Sequence, residues 1–73
     1  MNTIFERIKE LIANLIEVDK DTITRETTIC DPRLDFAYLI YSIEMEFDIE
    51  IPDSDAEKFV TVGDVVMYVQ NNS

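Results

Sequence analysis

"EMEFDIEIPDSDAEKFVTV", residues 44–62, decides the fold. Its opening residues carry an apolar-patterned helix to its end at Phe47 or Asp48. Pro52 lacks a backbone N–H and its ring blocks a continuing helix, so the chain breaks there. The acids after the break suit a helix start and predict a short helix over residues 53–58. Thr61, followed three residues later by Asp64, reads as a cap for a last helix, "VGDVVMYVQNN". Val62, Val65, Val66 and Val69 form its core face. The β-branched content would also suit a strand, but the cap and the helical neighbours favour a helix.

Working outward, "DPRLDFAYLIYSIEMEF" predicts a helix with Asp31 as N-cap and Pro32 in its first position. Near the N-terminus, Thr3 and Glu6 read as a capping box for a helix over residues 3–16. There Ile4, Ile8, Leu11, Ile12 and Leu15 recur at helical spacing, with Glu6, Arg7, Lys9, Glu10 and Asn14 on the other side. The intervening residues 17–32 are rich in Thr and Asp, which bond their own backbone and favour loops. This loop is longer than an ordinary helix–helix connection, and Val18, Ile23 and Ile29 are its expected anchors on the core. The expectation is one all-α domain over residues 1–73: three main helices, one short helix and a long first loop.

Composition agrees. The hydrophobic fraction of 47% is enough for a packed core, and a single glycine and two prolines argue against an all-β fold rich in tight turns. Sixteen acids face six cations, a formal charge of −10, which repels nucleic acid and anionic membranes and favours basic protein partners. The lone Cys30 cannot form an intramolecular disulfide; it is expected as a partly buried loop residue, in keeping with a cytoplasmic protein. No signal-peptide pattern or membrane-length apolar run is present. The absence of His removes imidazole-based metal sites and triads. The Asp-x-Asp at residues 19–21 lacks the central Gly and terminal Glu of a calcium loop. Carboxylates are plentiful, but no cleft or aromatic-lined pocket is predicted, and no enzyme is expected.

Three stretches together resemble the acyl carrier protein family: "IFERIKELIANLIEVDKDTIT", "EMEFDIEIPDSDAEKFVTV" and "VGDVVMYV". The resemblance spans nearly the whole chain, and its central stretch is the specific part. It implies a small helical bundle with a long first loop. Members carry intermediates on a phosphopantetheine arm attached to the serine of an Asp-Ser-Leu motif that opens the second helix. Here the motif falls on Pro32, Arg33 and Leu34, and Leu34-Asp35 matches the usual Leu-Asp. The serine position is Arg33, the preceding loop is about four residues short, and the usual upstream glycine is missing. Arginine is no oxygen nucleophile, and Pro32 removes an N–H that would favour a phosphate. No cofactor is therefore expected. Ser42 sits mid-helix, Ser54 fits the exposed first turn of the short helix, and carrier-loading enzymes recognise serine rather than Cys30.

The resemblance further implies that Leu34, Ala37, Leu39, Ile40, Ile43 and Phe47 face inward, leaving Phe36, Tyr38, Tyr41 and Met45 outward. Tyr38, Tyr41 and Met45 are spaced i, i+3, i+7 and line one face. Relatives in the family present acids on this helix to basic enzymes. Here Tyr38 and Met45 take such positions, with Asp35, Glu44, Glu46 and Asp48 as a remaining rim. A rotated helix would instead put the aromatics in the core. Arg33 would pair with Asp31 or Asp35, or meet a partner's carboxylate or phosphate.

The main expectation is a degenerate carrier-like interaction module. Arg33, Asp35, Phe36, Tyr38, Tyr41, Glu44 and Met45 would meet a protein with an apolar patch and basic rim, or a second copy. The alternative is a working carrier in fatty acid, polyketide or related acyl-transfer metabolism, holding phosphopantetheine at a non-standard residue. A designed or truncated variant of a carrier is a third reading.

Overall fold

The computed structural model describes residues 3–29 and 31–72. The Thr3 side chain of the expected capping box, and Cys30, lie outside the described residues. Among the described residues four α-helices follow in order: α1 (Thr3–Ile16), α2 (Phe36–Phe47), α3 (Asp53–Ala56) and α4 (Val62–Asn72). A 3₁₀ turn, Lys20–Thr22, punctuates the long loop. This is the all-α bundle expected from the apolar spacing.

The expected stripes make the core. Ile8 and Ile12 of α1, Leu39 and Ile43 of α2, and Val62, Val65, Val66 and Val69 of α4 are all buried. Side chains at i and i+4 lie on one face of a helix, so each set closes on the same centre. α1 packs against both α2 and α4, and Arg7 of α1 forms an exposed ion pair with Glu46 of α2. α1 and α2 each end on a left-handed residue that is not glycine, Glu17 (φ 58°) and Asp48 (φ 55°). In both, the next amide reaches back to the last turn: Val18 N–H to the Ala13 carbonyl (3.1 Å) and Ile49 N–H to the Glu44 carbonyl (3.3 Å). These bonds satisfy carbonyls that the helix end would otherwise leave bare.

The first loop is pinned to the core at a few apolar points while most of its residues face solvent. Ile23 and Ile29 are buried and Val18 is half-buried, as the anchor reading expects. The end of the loop is clasped to the link between α3 and α4. Ile29 N–H donates to the Val60 carbonyl (2.9 Å), Val62 N–H to the Thr27 carbonyl (2.8 Å) and Gly63 N–H to the Arg25 carbonyl (2.9 Å). An antiparallel bridge pairs Thr28 with Thr61 at the centre of this clasp. Gly63 permits the close approach: a Cβ there would lie 3.1 Å from the Arg25 carbonyl oxygen.

The cap of α4 forms as its spacing predicts. Thr61 Oγ1 accepts from Asp64 N–H (3.2 Å), while Asp64 Oδ2 accepts from the N–H groups of Val60 (3.0 Å) and Thr61 (3.1 Å). Those backbone donors hold the Asp64 carboxyl below its ordinary range. α3 is tied to α4 by Tyr68, whose hydroxyl donates to Asp55 (2.8 Å) and whose ring meets Phe59 edge-on, centroids 5.4 Å apart.

Candidate functional site

The start of α2 differs from expectation. Asp31 does not cap this helix, and Pro32 is not in its first position. α2 begins at Phe36, with Asp35 as N-cap in extended backbone and its Oδ1 accepting from Tyr38 N–H (3.1 Å). Asp31 closes a turn of its own. Its Oδ1 accepts from Arg33 N–H (2.8 Å), and its carbonyl accepts from Leu34 N–H (2.9 Å). Leu34 anchors that turn in the core. Two short Asp-headed caps compete within five residues, and the one nearer the apolar stripe of Leu39 and Ile43 starts the helix.

Arg33 therefore stands on an exposed turn, two residues before the N-cap of α2. Its guanidinium grips Asp31 with two bonds, Nε to Oδ1 at 3.2 Å and Nη2 to Oδ2 at 2.8 Å. The side-chain bond to Arg33, aided by the Arg33 backbone N–H, lowers the Asp31 carboxyl from 3.8 to about 2. The same pairing raises Arg33. Because the folded-state value is depressed, Asp31 contributes stability fully above its ordinary range, and the contribution is lost as pH falls through about 2. Arg33→Ala should return the Asp31 titration most of the way toward its ordinary value, since the largest cause is removed while the backbone N–H remains. Carboxyl NMR titration reads this directly; an unmoved Asp31 would refute the pairing.

Beyond this turn, α2 presents Phe36, Tyr38, Tyr41 and Met45 outward, at 36%, 54%, 57% and 67% exposure. Leu34, Leu39 and Ile43 are buried, with Ile40 and Phe47 half-buried. Ala37 was expected inward but is exposed. Counted from the Asp35 cap, Leu39 and Ile43 define the inner line, which turns residue 37 to solvent. Glu44 is half-buried, and its Oε2 accepts from Ile51 N–H (2.8 Å), tying α2 to the following link. Glu46 is committed to Arg7. Ser42 is half-buried within α2, and Ser54 is exposed in the first turn of α3.

A cleft does exist where none was expected. A cavity of about 300 Å³ opens between the Asp31 turn, the start of α2 and the end of α3. Ile29, Leu34, Phe36, Ala56 and Phe59 wall it, with Asp31 and Glu57 at its edge. Beside it lies a second hollow of about 360 Å³, whose wall on α2 runs from Phe36 to Glu44. The two share Phe36 and Ala56. Neither was readable beforehand, because both depend on how α3 leans against α2. The run "PDSDA" signals only a short helix. Among the described residues no cluster suited to a metal ion is found, and no helix is long and apolar enough to cross a membrane.

No family model matches the chain. Individual relatives do. The acyl carrier protein of Clostridium perfringens is 45% identical, over 94% of this chain and 96% of its own length. That of Lactobacillus acidophilus is 45% identical over 94% of this chain and 91% of its own. That of Campylobacter lari is 40% identical over 93% and 94%. These relatives are carriers by name, not enzymes. With identity at this level along almost its whole length, and with the helical bundle described above, the chain belongs to the acyl carrier protein family.

Proposed function

We propose that this chain serves acyl-transfer metabolism as a carrier-family docking protein, recognised through α2 and working without a phosphopantetheine arm at the start of that helix. The observation that carries this reading is Arg33. Attachment forms a phosphodiester at a side-chain hydroxyl, and a guanidinium cannot supply that oxygen. The residue also stands in the Asp31 turn rather than in the first turn of α2, so helix N–H groups do not converge beside it. The site as built does not fit the group. What remains is the family's docking helix with an apolar face of Phe36, Tyr38, Tyr41 and Met45. Aromatics and Met are enriched at the centres of protein interfaces. A protein with an apolar patch and a basic rim is the fitting partner, in a cytoplasmic setting.

A second reading is a loaded carrier. The names of the relatives, and their identity along the whole chain, favour it. In that case the arm sits at a residue other than 33. Ser54 is the serine at a helix start among the described residues, exposed on α3.

Intact mass after incubation with coenzyme A and a broad-specificity phosphopantetheinyl transferase separates the two. The expected result is no added mass, with a conventional carrier fully modified in the same tube. Gain of one phosphopantetheine unit, mapped by peptide fragmentation to Ser54 or Ser42, overturns the first reading in favour of the second.

A further inference from the structure

We infer that Asp35 is a hinge between two arrangements of the start of α2, and that the order Leu34-Asp35 holds the chain in the bent one. In the other arrangement residues 32–47 form one continuous helix.

The bend rests on a single dihedral. On its N-terminal side, Asp31 to Leu34 already make the opening turn of a helix. The Asp31 carboxylate accepts from Arg33 N–H (2.8 Å), as an N-cap does, and Leu34 N–H donates to the Asp31 carbonyl (2.9 Å). Pro32 stands where a first helical residue would, a position that suits its ring. On the other side α2 runs on from Phe36. Asp35 interrupts the two pieces, with φ −79° and ψ 98°. That φ is already helical, so turning ψ by about 140° would join them.

Two side chains oppose the joint. Counted back along a continuous helix, residue 35 lies four before Leu39 and shares its inner face. Residue 34 lies five before it and falls off that face. The joined form therefore turns a carboxylate toward the core and takes Leu34, buried in the bent form, out of it. It also gives up the bond from Tyr38 N–H to the Asp35 side chain. In exchange, the N–H groups of residues 35–38 gain the carbonyls of residues 31–34. Phe36 and Ala37 benefit most, since the first residues of a helix donate outside its ladder.

The hinge also governs a cavity. Asp31 and Leu34 on one side of it, and Phe36 on the other, contribute to the walls of the hollow of about 300 Å³ that opens toward α3. Turning the joint carries Asp31 and Leu34 away from Phe36, so this cavity belongs to the bent arrangement. Whatever fills it favours the shorter α2, and whatever draws Leu34 out of the core favours the longer one.

The test reverses the two opposing side chains. Leu34→Glu combined with Asp35→Leu places an apolar group on the inner face and an acid three residues after Asp31, completing a capping box. Backbone NMR shifts of residues 31–38 read the arrangement. The unaltered chain should give extended shifts at residue 35, and the double variant helical shifts over residues 32–35. The amides of Phe36 and Ala37 should then exchange at least about tenfold more slowly. Asp35→Ala removes the cap and the carboxylate but keeps Leu34, and should move residue 35 part of the way. Where circular dichroism shows the double variant unfolded, Asp35→Ala decides alone.

Helical shifts at residue 35 in the unaltered chain overturn the bent arrangement. Extended shifts there in every variant that folds overturn the hinge. Tyr38→Ser leaves both opposing side chains in place and should not move residue 35. A comparable change from it would overturn the role given to Leu34 and Asp35.

Discussion

Leu39→Ala is expected to lower the free energy of unfolding by about 3 kcal/mol, whereas Tyr38→Ser, one position away, should change it by less than about 0.5 kcal/mol. Leu39 is completely buried between the helices, and its truncation removes apolar contacts that the packed neighbours cannot close over. Tyr38 is 54% exposed and its backbone amide, not its ring, makes the cap bond to Asp35. In a domain of this size a loss of that order is a large share of the total stability, commonly about 5–15 kcal/mol for folded domains. Urea unfolding followed by circular dichroism measures both. Equal losses from the two substitutions would mean that α2 is rotated and its aromatics fill the core.

The second large effect lies outside the helices. Ile23→Ala should cost about 2–3 kcal/mol, as much as a helix core residue, although residue 23 sits in a loop. Ile23 is 4% exposed, and its N–H closes the 3₁₀ turn on the Lys20 carbonyl (3.1 Å). The loop carries few other apolar groups, so no neighbour replaces it. Thr24→Ala is the contrast, an exposed residue bonded only to Thr27, with an expected change within about 0.5 kcal/mol. Matched urea midpoints for Ile23→Ala and the unaltered chain would show that the loop is a tether rather than part of the core.

Much of this architecture was legible in the sequence for a physical reason. Periodic burial leaves a periodic record, so Ile8 and Ile12, Leu39 and Ile43, and the valines of α4 could be read directly. Caps whose donor and acceptor are three residues apart, such as Thr61 and Asp64, are equally local. Competition between local signals was not legible. Asp31-Pro32 and Asp35 both satisfy the rules for a helix start, and the winner depends on where Leu34 and Leu39 find cover. The cap reading put the start of α2 four residues early, while the inward placement of Ala37 came from the family resemblance and fails because Leu39 and Ile43 set the inner line. The cleft beside the Asp31 turn was invisible for a related reason: Phe36 and Phe59 are 23 residues apart and line one cavity only when α3 folds back. The bond from Ile51 N–H to Glu44, which holds that link against α2, belongs to the same class.

The clasp between the first loop and the α3–α4 link has a consequence for the order of folding. Its hydrogen bonds join residues 31 to 38 positions apart, Ile29 with Val60 and Arg25 with Gly63. Helices of this length form from local contacts within about a microsecond, but closing so long a segment must wait for both ends. On a ribosome the loop has no partner until residues 60–63 have been made. Until then Ile23 and Ile29 have no lid, and Arg25, Glu26 and the three threonines between them make the intervening segment polar. The clasp thus joins a segment synthesised early to one synthesised late, and cannot close before the second is made.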